Sequence, residues 1–151
     1  MLAQAFVFLA QAFDNVFVFL LIIVLLVFAT EPRWEKRKKI AVALFLAGMA
    51  AIVAKNLIMQ PRPCLSIESL IQCPLDFSMP SGHAAVAFTL MVAFLGRAWF
   101  PFYWVFAILV AYSRFYAGVH TFDDIAAALV VAPIAYQAAD LLWGAFVERN
   151  K

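Results

Sequence analysis

Long apolar stretches broken by short polar clusters run the length of this chain, and their spacing predicts about five membrane-crossing helices. A helix needs about 20 mostly apolar residues to cross roughly 30 Å of hydrocarbon. The first candidate lies within residues 2–29, with its core at 16–29, and the second covers 40–59. The third covers 83–100, the fourth the shorter stretch 101–116, and the fifth about 121–146. Asp14 interrupts the first. Residues 1–13 therefore form either a helix lying along the membrane surface or the start of one long tilted span with a buried acid; of the two, the interfacial helix is preferred. Pro133 is expected to kink the fifth span. Phe13, Phe17 and Phe19 are expected to face lipid, or else to grip a hydrocarbon tail.

Composition agrees with that pattern. Hydrophobic residues make up 67% of the 151 positions, against about 45–50% in soluble domains. The length permits one compact all-α bundle, a single domain over residues 1–151. No basic n-region precedes the first apolar segment and no small-residue cleavage site follows it, so it is read as retained. No Lys/Arg face with interleaved aromatics exists, which excludes nucleic acid as a partner.

Charge placement sets the direction. Alternating spans put Arg33, Lys36, Arg37, Lys38, Lys39, Arg97, Arg149 and Lys151 on one face. Only Lys55, Arg62 and Arg114 fall on the other. Short cytoplasmic loops accumulate Lys and Arg, so the second face is expected to point away from the cytoplasm, at the cell membrane. Trp34, Trp99, Trp104 and Trp143 map near the basic face, as an interfacial aromatic belt requires.

The three cations left on the outer face do not stand alone. Lys55 ends the second helix and Arg62 follows seven residues later, Ser81, Gly82 and His83 open the third, Arg114 closes the fourth, and His120 and Asp124 begin the fifth. Three cations beside a helix N-terminus suit an oxyanion with several charged oxygens, namely phosphate. Arg supplies a planar fork and Lys a point charge, while Gly82 lets the backbone come close. His120 and Asp124 are four residues apart and stack if the helix starts that early. A carboxylate on one ring nitrogen fixes the tautomer and frees the other nitrogen to attack phosphorus. His83 is then the general acid for the departing oxygen.

At these residues the chain resembles the type 2 phosphatidic acid phosphatases, or lipid phosphate phosphatases. Their signature has three parts, matched here by "KNLIMQPRP" at 55–63, "PSGH" at 80–83 and "SRFYAGVHTFDD" at 113–124. The resemblance implies a phosphatase/haloperoxidase-like helical core in which Lys55, Arg62 and Arg114 bind phosphate with Ser81 and Gly82 beside them. It further implies that His120 forms a phosphohistidine supported by Asp124, and that His83 acts as acid and then activates water. The family needs no metal, so no cofactor is implied. Many bacterial members have six spans, against five expected here.

Cys64 and Cys73 bracket "CLSIESLIQC" in the outer link. An extracytoplasmic face permits oxidation, so a disulfide is expected there, the alternative being two buried thiols. Two thiols and two already employed histidines leave no set of zinc ligands.

The expected function is hydrolysis of a lipid phosphate or diphosphate monoester entering sideways from the bilayer. A polyprenyl diphosphate of the undecaprenyl type is the first choice, followed by phosphatidate or phosphatidylglycerophosphate. A phosphotransferase shares the same intermediate. Vanadium haloperoxidases carry the same signature but are soluble and larger, and the apolar composition argues against one. The intact histidine–aspartate set argues against an idle scaffold or transporter.

Overall fold

The computed structural model describes residues 2–149 of the chain. Lys151 and the side chain of Arg149, two of the cations assigned to the basic face, lie outside the described residues. The elements in order are α1 (Leu2–Asp14), α2 (Val16–Thr30), α3 (Trp34–Ile58), a 3₁₀ turn (Pro63–Leu65), α4 (Gly82–Ala93), α5 (Phe100–Tyr116) and α6 (Phe122–Arg149). Among the described residues there is no strand.

The break after Asp14 has a local cause. Asn15 adopts an extended conformation, and its side chain accepts from the amides of Phe17 (3.1 Å) and Val18 (3.2 Å), capping α2. The helix axes turn by 92° across this elbow. The elbow separates the two helices at the point where Asp14 is expected to interrupt the first apolar stretch. Along its course α1 packs on α5, and the Phe13 ring meets Phe106 edge-on at 6.1 Å.

α3 and α6 are long and apolar enough to cross a membrane, and α6 runs on through Pro133. α2 and α5, with 15 and 17 residues, run shorter. The third expected span needs correction: α4 ends at Ala93 after 12 residues, and turns occupy 94–99. At ~1.5 Å per residue that helix is only about 18 Å long. The physical reason is its position, since α4 lies between α3, α5 and α6 with Ala84, Ala85, Ala87, Phe88, Leu90 and Ala93 all buried. Enclosed by protein, it need not match the thickness of the lipid. Its alanines let neighbouring backbones come near, as small residues do in membrane bundles.

A second correction concerns the phenylalanines. Phe17 faces outward, 82% exposed, but Phe13 and Phe19 are buried. Phe19 lies against the His83 ring at 4.9 Å, and Phe13 meets Phe19 edge-on at 5.9 Å. The 90° elbow turns these two rings into the bundle.

At the basic end, Glu31 is buried and receives Arg33 Nε (3.0 Å) and Arg97 NH1 (2.6 Å). Arg37 Nε donates to the Glu31 carbonyl at 2.6 Å. Arg97, one of the cations expected on the basic face, ties the α4–α5 turn to the end of α2. Nearby, Lys39 pairs with Asp140 between α3 and α6.

Candidate active site

The candidate site residues gather at the opposite end of the bundle, where α3 and α5 finish and α4 and α6 begin. The local fold of the α6 N-terminus positions the most reactive pair. Thr121 precedes α6, its amide donates to Asp124 Oδ2 (2.7 Å), and its hydroxyl accepts from the Asp124 amide (3.3 Å). This reciprocal capping box satisfies two donors at the helix start and fixes the Asp124 side chain so that it turns back over residue 120.

His120 therefore meets Asp124 from outside the helix. The helix begins at Phe122, after His120, so the expected stacking of both on one helical face is replaced by a capping turn. His120 Nδ1 lies 3.2 Å from Asp124 Oδ2, and Ser78 Oγ donates to the same oxygen. The other ring nitrogen, Nε2, is 3.1 Å from Arg62 NH1. A guanidinium can only donate, so Nε2 must be the acceptor and Nδ1 carries the hydrogen given to Asp124. Burial pushes the His120 imidazole down to about 4, and the Arg62 and Lys55 cations add to this against the pull of Asp124. A neutral ring with a fixed tautomer and a lone pair on Nε2 results.

Arg62 is equally well fastened. Its NH1 also donates to the Val119 carbonyl (3.0 Å), its Nε to the Asp76 carbonyl (2.9 Å) and its NH2 to Asp76 Oδ1 (2.6 Å). Lys55, in the last turn of α3, donates to Asp76 Oδ2 (2.6 Å) and to the Phe77 carbonyl (2.6 Å). Arg114, in the last turn of α5, reaches Asp14 Oδ1 at the α1–α2 elbow (3.0 Å) and the Ala10 carbonyl (3.4 Å), and its buried Nε has no partner among the described residues. Ser81 hooks α4 to α6 through its amide on the Asp124 carbonyl (3.1 Å), and its buried hydroxyl is also without a partner among the described residues.

A cavity of about 440 Å³ collects these groups. Lys55, Arg62, Gly82, His83, Arg114 and His120 line it, together with Asp14 and Asp76. Both imidazoles thus border one space. Its other walls are apolar, formed by Phe19 and Leu20 of α2, Gly48, Ala51 and Ile52 of α3, and Val86 of α4. Leu20 and Ile52 are exposed at the bundle surface, so the pocket joins a charged head end to an apolar side wall.

The carboxylates Asp14 and Asp76 were missed when only cations were counted on this face. The available signal was simple: the link between α3 and α4 holds only two acids, Glu68 and Asp76, and Asp76 stands seven residues before His83. Burial raises the Asp76 carboxyl, but Lys55 and Arg62 outweigh that and hold it below the usual carboxylate range.

The link itself is fastened to the site. Cys64 and Cys73 are joined by a disulfide, with Cα atoms 5.7 Å apart. The Leu70 amide donates to the Ala117 carbonyl (3.0 Å). Gly118 has a φ of +74°, and a Cβ there would lie 3.3 Å from the Glu68 carbonyl oxygen. Only glycine adopts that turn while letting the link sit so close.

Comparison with known proteins agrees with this picture. The model of the PAP2 superfamily matches residues 37–139. Sphingosine-1-phosphate phosphatase 2 of Mus musculus is 31% identical over 118 residues, covering 69% of this chain and 32% of its own length. An undecaprenyl-diphosphatase of Sulfolobus acidocaldarius is 34% identical over 100 residues, 58% of this chain and 47% of its own. The chain spans between 24% and 66% of the length of the curated relatives it matches. The crystal structure of Aquifex aeolicus LpxE superposes with a TM-score of 0.69 at 27% identity, covering 91% of this chain and 84% of that one.

Proposed function

This chain belongs to the PAP2 superfamily, and from that premise we propose that it is a membrane-embedded lipid phosphatase acting through His120. The observation that carries the proposal is the neutral His120 held between Asp124 and Arg62 on a cavity whose remaining walls are apolar. Lys55, Arg62 and Arg114 take the phosphate oxygens, and the amides of the first turn of α4, at Gly82 and His83, add the positive end of a helix dipole. Arg62 releases Nε2 as its guanidinium turns to the phosphate. Nε2 then attacks phosphorus while the bond to the departing oxygen breaks, and His83 gives that oxygen a proton. Asp124 stabilises the charge that develops on the ring, as an orienting carboxylate does in a triad. His83, now neutral, takes a proton from water, whose oxygen attacks the phosphohistidine. Phosphate leaves and His120 is restored.

The apolar wall between α2 and α3 favours a substrate whose tail stays in the bilayer. A polyprenyl diphosphate is the favoured substrate, supported by the undecaprenyl-diphosphatase relative. Among the described residues, Arg33, Lys36, Arg37, Lys38, Lys39 and Arg97 belong to the opposite end of the bundle, which supports a site on the extracytoplasmic face of the cell membrane. The test is phosphate release by the detergent-purified protein from undecaprenyl diphosphate, phosphatidate, phosphatidylglycerophosphate and sphingosine-1-phosphate, with EDTA throughout. Release from the prenyl diphosphate that vanishes in His120→Ala is expected. Release from none of the panel, or full activity in His120→Ala, would refute the proposal.

A further inference from the structure

The phosphate cradle of this protein is not empty of negative charge. Asp76 places one carboxylate oxygen 2.6 Å from Lys55 Nζ and the other 2.6 Å from Arg62 NH2, bridging both cations. The three partners differ in exposure. The Lys55 and Arg62 side chains are 8% and 5% exposed, whereas that of Asp76 is 55% exposed. The carboxylate has water to swing into, while the cations cannot follow. They also need not, because each keeps a carbonyl acceptor on the same loop: Phe77 for Lys55 and Asp76 itself for Arg62. Those carbonyl bonds hold the cations in position when the carboxylate goes.

We propose that Asp76 is a resident anion, whose carboxylate fills the Lys55–Arg62 cradle in the resting protein and is displaced by the substrate's phosphate. This inference rests on the reading of Lys55 and Arg62 as phosphate ligands. Displacement imposes a common cost on every anion, since the apparent dissociation constant is the intrinsic one divided by the fraction of open cradles. The site lies among phosphodiester headgroups at high local concentration. A cost of about tenfold leaves a weakly bound monoanion mostly outside while a terminal phosphate, with about −1.5 to −2 charges, still enters. The same carboxylate returns to the cradle as product phosphate departs, which speeds its exit.

The experiment is binding of inorganic phosphate, and of sulfate as a second anion, to detergent-purified protein by calorimetry and by thermal shift. Neither readout requires turnover. Asp76→Asn keeps the shape and loses the charge. It is expected to bind both anions about tenfold more tightly, by the same factor, and to gain more thermal stabilisation from phosphate than wild type does. Asp76→Glu, which retains the charge, is expected to bind like wild type. Asp76→Ser removes the carboxylate with a different shape and serves if the asparagine variant does not fold. Weaker or unchanged phosphate binding in the charge-removing variants, with wild type binding normally, overturns the displacement proposal and makes Asp76 a strut that orients the cations. Absence of phosphate binding in wild type and variants alike overturns the phosphate-site reading, and this proposal with it.

Discussion

Asp124→Asn is the most informative single change, because the capping turn dictates which way the amide must face. Asp124 Oδ2 accepts from the Thr121 amide, the Ser78 hydroxyl and His120 Nδ1, while Oδ1 is buried without a partner among the described residues. An asparagine can satisfy the first two donors only by placing its carbonyl oxygen where Oδ2 stands. That same oxygen still accepts from His120 Nδ1, so the ring keeps its tautomer and only the charge is lost. A hydrogen bond to a charged group is worth about 1.5–3 kcal/mol. If all of that is realised as charge develops on the ring, kcat falls about 10- to 150-fold. The amide NH₂ takes the orphan position, adding about 1–3 kcal/mol of destabilisation. The assay is phosphate release at saturating substrate, with a thermal melt of the same preparation. An amide facing the other way would invert the histidine tautomer, which in a comparable triad costs about 10⁴ in kcat. A fall of that size would refute the capping argument, and an unchanged kcat would remove Asp124 from the mechanism.

Other changes probe separate parts of the structure. With the His120 imidazole at about 4 instead of its ordinary 6.5, the unfolded chain binds the extra proton first as pH falls. Its contribution to stability is therefore full above about 6.5 and lost as pH drops toward 4; histidine NMR in detergent should find the His120 ring still neutral at pH 5.5, and titration near 6.5 would contradict the site geometry. Glu31→Gln weakens the tie between the α2 end and the α4–α5 turn. Because Arg33 and Arg97 are partly exposed, the loss should be about 1–3 kcal/mol, read as a lower melting temperature with residual activity intact. Gly118→Ala combines a left-handed φ with a 3.3 Å approach to the Glu68 carbonyl; about 1–3 kcal/mol of strain should appear as lower stability, and a neutral result would mean the link moves aside freely.

What the sequence made legible follows from the kind of information each feature carries. α3 and α6 were readable because lipid-facing helices must be apolar along their whole length. The site residues were readable because three spaced motifs fall on one alternating face, and the bundle brings Lys55, Arg62, His83, Arg114 and His120 to one cavity. α4 was misjudged in length because hydropathy is the same for a residue facing lipid and one facing protein. After Ala93 the chain turns through 94–99, where Gly96 takes a φ of +72° and Arg97 reaches Glu31 across 66 residues. Phe19 was misplaced for a related reason: the elbow at Asn15 decides which rings turn inward, and periodicity does not encode a right angle.

The electrostatic character of the pocket was the deepest omission. Counted from the sequence, Lys55, Arg62 and Arg114 make the outer face a site of three positive charges. In the fold each has a carboxylate partner or shares one, with Asp76 on Lys55 and Arg62 and Asp14 on Arg114. Asp124 adds a third negative charge beside neutral His120, so three cations face three carboxylates. Such pairing is what a membrane protein needs, because unpaired buried cations would cost several kcal/mol each. On the proposed reading, a phosphate would bind by exchanging partners with cations that already have carboxylates beside them. Asp14 and Asp76, the carboxylates with exposed surface, are the ones able to leave, whereas Asp124 is fully buried and stays with the histidine.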